Sequence, residues 1–219
     1  MNILFCSVGR RCELLKDFRK TLGEGLKIVA TDNSTFAPAF AFADRGYQVP
    51  LISDPGYIPE ILAICEKEQI QAVTTLIDPE IMLLAEHRKE FEELGVEVLA
   101  PYLETAKLCF NKYEMFRYLQ EKKIPTVMTY GTYEEFFAAY EQKKITFPVF
   151  VKPRTGSGSV GARKIETLEM LRDVIREDAS LIIQEFMKGT DMDADVYVDT
   201  ISKQPVAIFS KKKISTTIG

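Results

Sequence analysis

Up to about residue 103 the sequence alternates short apolar runs with amphipathic segments of helical spacing, and few architectures accommodate that order. Asn2 to Ser7 reads as a strand, followed by a turn at Val8-Gly9-Arg10 and a helix carrying Leu14, Leu15, Phe18 and Leu22. Lys27 to Thr31 reads as a second strand, ending at Asp32. Pro59 suits the start of a helix bearing Ile61, Leu62 and Cys65, because its missing N–H is not needed there. Ala72 to Leu76 reads as a third strand, Glu80 to Leu94 as one helix, and Val96 to Leu99 as a closing strand before Pro101. Parallel strands need crossovers, so the alternation predicts a parallel sheet with helices on both faces. The crevice of such a sheet lies beyond the carboxyl ends of its strands, which nominates Ser7, Gly9, Arg10, Asp32 and Asp78. Asp32 stands where an acid can meet a ribose. The first turn, Ser7-Val8-Gly9-Arg10-Arg11, nevertheless lacks the later glycines of a pyrophosphate loop, which favours substrate or interface contacts.

Charge and composition narrow the classes. A chain of 219 residues with 46% hydrophobic and 27% charged residues is an ordinary soluble globular protein of one large or two small domains. Its net charge of −4 argues against nucleic-acid or anionic-membrane partners. The N-terminus enters strand-like sequence without a basic leader, and no apolar run approaches bilayer length, so a cytoplasmic protein is expected. Cys6, Cys12, Cys65 and Cys109 form no C-x-x-C pair and lie in apolar periodic segments, as expected of reduced, buried thiols. His87, the only histidine, neighbours Arg88 and Lys89 on an expected solvated helix face, which leaves histidine triads and histidine metal clusters without support.

After Pro101 the character changes. A helix is expected from roughly Ala106 to Lys122, with Leu108, Met115 and Leu119 inward and Lys112, after Asn111, on the polar side. Pro125 to Tyr130 reads as a strand and Tyr133 to Lys143 as a helix with Phe136, Phe137 and Tyr140 apolar. Then comes Phe147-Pro148-Val149-Phe150-Val151-Lys152-Pro153-Arg154-Thr155-Gly156-Ser157-Gly158-Ser159-Val160-Gly161. A β-branched, aromatic strand delivers Lys152 to the mouth of a Gly/Ser loop. Glycines let a backbone turn its N–H groups around an anion, and a lysine adds a compact cation suited to phosphate.

Gly156, Gly158 and Gly161 fit G-x-G-x-x-G, but helical spacing resumes only near Thr167, with Leu168, Leu171, Val174 and Ile175 on one face. The loop therefore joins two strands, unlike a dinucleotide fingerprint. Ala162-Arg163 stands where a P-loop requires Lys-Ser/Thr. Leu181 to Gly189 is an apolar strand running into a linker whose exposed backbone can pair with a planar base. Asp193 to Asp199 alternates with period two, as an open antiparallel strand would. A turn at Lys203-Gln204-Pro205 leads to Val206–Ser210 and then Lys211-Lys212-Lys213, a pattern shared with lysine-protected sheet edges.

In this order of motifs the chain resembles the ATP-grasp enzymes, most nearly the carbamoyl-phosphate-synthase-like branch that includes amino-acid ligases. The resemblance rests on Asn111-Lys112, then Pro148 to Pro153 with the Gly156–Gly161 loop, then Ile183-Gln184-Glu185-Phe186-Met187-Lys188-Gly189-Thr190-Asp191. Asp32, the Ala43-Asp44 pair and Ile77-Asp78-Pro79-Glu80 resemble the domain that precedes the grasp. The implied fold is α/β. A Rossmann-like, pre-ATP-grasp parallel-sheet domain over 1–103 is followed by an incomplete α+β ATP-grasp domain over 104–219. That second domain comprises a small subdomain over about 104–182 and the start of a large one over 183–219.

By the same resemblance Lys112 and Lys152 contact ATP phosphates, and Gly156, Ser157, Gly158, Ser159 and Gly161 fold over them. Gln184 meets the adenine amino group, the connector Glu185-Phe186-Met187 offers its backbone to the base, and Asp191 takes the ribose. Lys211 and Lys213 stand where the family often has arginines directed at phosphate or substrate, while Arg10, Asp32 and Asp78 are candidate substrate contacts from their place at the strand ends. The implied chemistry activates a carboxylate, or bicarbonate, as an acylphosphate that an amine captures. It uses ATP with Mg²⁺, whose ligands in this family lie beyond position 219, so the chain is expected to be part of a longer enzyme. A non-catalytic ATP-binding regulatory module is the alternative, and an NAD(P)-dependent oxidoreductase a third class. Small-molecule carboxylate and amine are the expected partners. The sequence leaves oligomeric state open, a homodimer included.

Overall fold

A computed structural model of the protein describes residues 1–199, 201–212 and 214. The chain divides into two compact units, Met1–Met115 and Phe116–Gly219. In the first, strands β1 (Asn2–Cys6), β2 (Lys27–Asp32), β3 (Arg45–Gln48), β4 (Ala72–Thr75) and β5 (Glu97–Val98) form a sheet in the order β3-β2-β1-β4-β5. Every pairing is parallel. The reason is visible in burial: Ile3 to Cys6 and Ile28 to Asp32 are buried throughout, so both sheet faces must be covered. Leu4, Val29 and Val73 pack with Ile61 and Ile64 of α2 (Tyr57–Glu68), Leu84 of α3 (Asp78–Glu86) and Phe91 of α4 (Arg88–Glu93). Ile3, Phe5 and Ile28 point the other way, onto Leu15 of α1 (Cys12–Leu22) and a 3-10 turn at Pro38–Phe42. The parallel, doubly covered sheet is the one the alternation predicts.

Several elements differ from the sequence reading. Strand β3 was not anticipated, because its residues are mostly exposed and polar. Its place is fixed by the backbone ladder Val29↔Arg45 to Asp32↔Gln48 and by Asp44, whose carboxylate accepts from the Ile28 amide at 2.7 Å and from Arg19 at 2.6 Å. The single helix expected over Glu80 to Leu94 breaks at His87 (φ −95°, ψ 11°), whose Nδ1 lies 2.6 Å from Glu90 Oε1. The helix expected over Ala106 to Lys122 is likewise two, α5 (Leu103–Phe110) and α6 (Lys112–Glu121), divided by extended backbone at Asn111 (φ −97°, ψ 104°). Asn111 Oδ1 accepts from the amides of Tyr113 and Glu114, ending one helix and capping the next. Lys112 is therefore the first residue of α6, not a mid-helix surface lysine. Of the four free cysteines, Cys6 and Cys65 are buried as expected, but Cys109 is exposed and Cys12 half-buried. Burial pushes the Cys6 thiol up and the Cys65 thiol to about 12, so neither is a thiolate at neutral pH.

The second unit contains a four-stranded sheet in the order β6-β9-β7-β8, built from β6 (Thr129–Tyr130), β7 (Val149–Pro153), β8 (Arg163–Ile165) and β9 (Leu181–Glu185). All its pairings are antiparallel. The strand expected from Pro125 shrinks to Thr129–Tyr130, in keeping with the lack of a donor on proline. Helices α7 (Tyr133–Glu141) and α8 (Leu168–Glu177) cover one face with Phe136, Leu171 and Val174. Each starts at a threonine, Thr132 or Thr167, whose hydroxyl accepts an amide three residues on. Strands β10 (Met192–Val198) and β11 (Pro205–Lys212) form a separate antiparallel ribbon with Val196, Ile208 and Phe209 exposed. Among the described residues no helix is long and apolar enough to cross a membrane.

Asn111→Ala removes the acceptor that starts α6, and its expected cost is about 1 kcal/mol of stability in denaturant unfolding. Asn111→Asp, which keeps an acceptor, is expected to recover most of that loss. Equal losses in the two variants would contradict the capping role.

Candidate functional site

The register of β7 against β9 decides which side chains share a face. Val149 pairs with Glu185, Phe150 with Gln184, Val151 with Ile183 and Lys152 with Ile182. Alternation sends Val149, Val151 and Ile183 into the helix-covered core, so Phe150, Lys152 and Gln184 lie on the opposite face. Pairing of Phe150 with Lys164 in β8 adds a second cation to that face. Its ammonium stands 4.9 Å from the centre of the Phe186 ring and 2.6 Å from Glu166. Lys164 was missed in the sequence. Its only signal is its position in the β7–β8 register, which appears once those strands are paired across the loop.

The loop from Gly156 to Gly161 joins two antiparallel strands, as expected, and no helix begins on its last glycine. Gly156, Gly158, Ser159 and Gly161 have φ of +100°, +68°, +60° and +73°. A Cβ added at Gly158 would meet nothing within 4 Å. A Cβ at Gly161 would sit 3.2 Å from Pro153 Cγ, so here glycine permits a close approach.

The connector after β9 begins with a two-point clip. The Glu185 amide donates to the Met128 carbonyl at 3.0 Å, and Glu185 Oε1 accepts from the Met128 amide at 2.9 Å. Of the backbone groups expected at a base edge, the Glu185 N–H is thus committed to Met128. Gln184 Nε2 donates to Thr129 Oγ1 at 2.7 Å, which fixes its side chain along the sheet. Phe186 is half-buried, while Met187 and Asp191 are exposed. Lys211 pairs with Asp195 at 2.5 Å across the ribbon, and Lys213 lies outside the described residues.

In the first unit, the carboxyl ends of β1, β2 and β4 bring Ser7, Gly9, Arg10, Asp32 and Asp78 to one edge, where the strand order reverses between β1 and β4. Asp32 has a structural task there: Oδ2 accepts from the Gly9 amide at 2.8 Å and Oδ1 from the Ser34 amide at 2.9 Å. Arg11 donates to the Ser7 carbonyl at 3.1 Å, and Arg10 is exposed. Glu80, fully buried, is a residue whose importance sequence reasoning did not see. Its carboxylate accepts from Ser7 Oγ at 3.0 Å and from the hydroxyls of Tyr57 and Thr75. Burial pushes its carboxyl above the usual range, with the hydroxyl bonds partly offsetting. Lys112 is pulled down by burial, and the negative charge of Asp78 opposes that fall. Lys112 belongs to the first unit and Lys152 to the second.

Among the described residues no three His, Cys, Asp or Glu side chains are grouped to hold a metal ion.

Residues 3–99 match the family model described as PylC-like, N-terminal domain, and residues 109–217 match the ATP-grasp domain model. The formate-dependent phosphoribosylglycinamide formyltransferase of Saccharolobus solfataricus is 28% identical over 173 residues, 75% of this chain and 42% of that protein. The carbamoyl-phosphate synthase of Methanobrevibacter smithii is 25% identical over 200 residues, 90% of this chain and 52% of that protein. The solved structure of N5-carboxyaminoimidazole ribonucleotide synthetase from Thermotoga maritima matches with a TM-score of 0.70 at 16% identity, covering 97% of this chain and 54% of that one. The chain spans about half the length of the curated relatives it matches.

Glu80 gives a pH-dependent expectation. A carboxyl whose folded pKa lies above its ordinary 4.5 stabilises most while protonated in both states, and loses that contribution as pH rises through the folded value. Glu80→Gln stays neutral throughout. The stability of the native protein relative to this variant is therefore expected to fall as pH rises above 4.5, measured by denaturant unfolding up to pH 8. A relative gain with pH would contradict it.

Proposed function

Because the chain belongs to the ATP-grasp superfamily, with an ATP-grasp domain behind a PylC-like N-terminal domain, we propose that it forms part of an ATP-dependent carboxylate–amine ligase. The observation that carries this reading is the shared face of Phe150, Lys152 and Gln184, opposite the core, with the open glycine loop leaving the same strand. A triphosphate laid along that face meets Lys152 at the strand end and the loop amides above it. Its purine lies toward Gln184 and the Phe186-Met187 segment, with Asp191 taking the ribose. For Lys112, the first residue of α6, the family resemblance alone implies a phosphate contact.

A carboxylate oxygen attacks the γ-phosphorus, the bond to the ADP oxygen breaks, and an acylphosphate forms. The amine then attacks the acyl carbon, giving up a proton as phosphate leaves and a C–N bond forms. The contribution of this chain is positioning and charge. Lysines offset the growing negative charge on ADP, and the closed loop keeps water from the acylphosphate. Arg10 and Asp78, at the carboxyl edge of the parallel sheet, suit the carboxylate and ammonium of a small zwitterion. In the carbamoyl-phosphate-synthase-like version of this chemistry the activated acid is bicarbonate. The NAD(P) reading asks Asp32 to hold a ribose, whereas its oxygens accept from Gly9 and Ser34.

The test is calorimetric binding of ATP to the intact protein, followed by ADP detection with a panel of amino acids, carboxylic acids, bicarbonate and amines. Lys152→Ala is expected to weaken ATP binding by about ten- to a hundredfold, the effect of losing one charge-assisted phosphate contact. Undiminished ATP affinity in that variant would refute the clamp. Tight ATP binding with no ADP under any pairing would instead favour the regulatory module.

A further inference from the structure

The carboxyl ends of β1 and β4 border a cavity of about 70 Å³. Its position follows from the topology. The chain leaves β1 through α1, which covers one face of the sheet, and leaves β4 through α3, which covers the other. A crevice opens between neighbouring strands whose helices part in this way. Phe5, Leu14, Phe18 and Leu76 line it. The rings of Phe5 and Phe18 meet edge to face with centroids 4.8 Å apart, which stiffens one wall. The threonine hydroxyls beside it are committed elsewhere: Thr75 Oγ1 donates to Glu80, and Thr74 Oγ1 donates to the Leu99 carbonyl at 3.3 Å. The charged side chain at the cavity is Arg11. It is half-buried, its Nη1 donates to the Ser7 carbonyl at 3.1 Å, and among the described residues no carboxylate pairs with it.

We propose that this cavity and Arg11 form a subsite for a small aliphatic carboxylate: the guanidinium takes the carboxylate, and the cavity takes a side chain of about three to five carbons. That the bound acid is a substrate rests on the ligase reading; that it binds does not. An ordered water needs about 10–15 Å³ and two to four polar partners, so the space has room for several waters but too few groups to hold them. An apolar chain gains about fourfold in affinity for each carbon buried there. The volume suits a branched chain and is too small for a benzyl group. The bond from Nη1 to Ser7 anchors the guanidinium at the crevice and leaves Nε and Nη2, the fork that a carboxylate grips with two parallel hydrogen bonds. Leu76 is exposed, which leaves the mouth open to solvent.

The experiment is a nucleotide-free NMR titration of the intact protein, methyl-labelled at leucine and valine. The ligands are leucine, alanine, phenylalanine, 3-methylbutanoate and 3-methylbutan-1-amine. Methyl signals of Val8, Leu14 and Leu76 are expected to move, while Val96 and Val98, packed on the opposite face, stay in place. Affinity should fall about fourfold for each side-chain carbon removed from leucine to alanine. Phenylalanine should bind about tenfold more weakly than leucine, or worse, because its ring does not fit. The amine, lacking a carboxylate, should bind about tenfold more weakly than 3-methylbutanoate, and Arg11→Gln should lose a similar factor for both acids. Arg11 also holds Ser7, so a second variant is needed. Leu76→Trp, at an exposed position, fills the mouth and keeps Arg11, and it should block leucine without altering the unfolding curve. Equal affinity for alanine and leucine, unmoved cavity methyls, or binding of leucine but not 3-methylbutanoate would each overturn the subsite. If the acids bind as expected but none yields ADP with ATP, the ligase reading fails and the subsite stands. ADP formation with these acids while the cavity methyls stay still overturns the subsite and leaves the ligase reading intact.

Discussion

The antiparallel pairing of β7 with β9 is the constraint on which the candidate clamp depends. A strand whose alternate residues, Val149 and Val151, are buried against α7 and α8 has no freedom over the direction of its other residues. A slip of one residue would drive Lys152 into an apolar core, at a desolvation cost far above any gain in pairing. Hydrophobic burial on one face thus aims a lysine and a glutamine on the other. Chemistry and stability are two faces of the same sheet.

The first unit uses a different device for the same end. Its strands are parallel, so their carboxyl ends and the turns that follow gather at one edge. Those turns are built by buried acids. Asp32 binds the amides of Gly9 and Ser34, while Glu80 ties Ser7 at the end of β1 to Thr75 at the end of β4 and to Tyr57 of α2. Removing Glu80 would leave the buried hydroxyls of Tyr57 and Thr75 without that partner, which is why such a group shapes a crevice even when it does not touch a ligand. Arg10 is left exposed at that edge.

Much of this was legible in the sequence because it is local. Period-two and helical spacing gave the parallel sheet, and the resumption of helical spacing only near Thr167 correctly put a strand after the glycine loop. The misses are of two kinds. The break at Asn111 had a local signal, an Asn three residues before Glu114 at a helix start, but the apolar periodicity on either side masked it. Strand β3, Lys164 and Glu80 had none. The first is held by backbone pairing, the second takes its place from register across the loop, and the third is made important by hydroxyls distant in sequence, Ser7 and Tyr57 among them. A side chain whose role is set by partners many residues away cannot be ranked from spacing alone.

Where the purine sits is the most direct question for the whole account. Photolabelling of the intact protein with 8-azido-ATP, followed by peptide mapping, answers it. The sheet register and the exposed connector predict label on residues 184–191. Label confined to the turns after β1 and β2, around residues 7–11 and 32–36, would place the nucleotide on the parallel sheet and contradict the clamp.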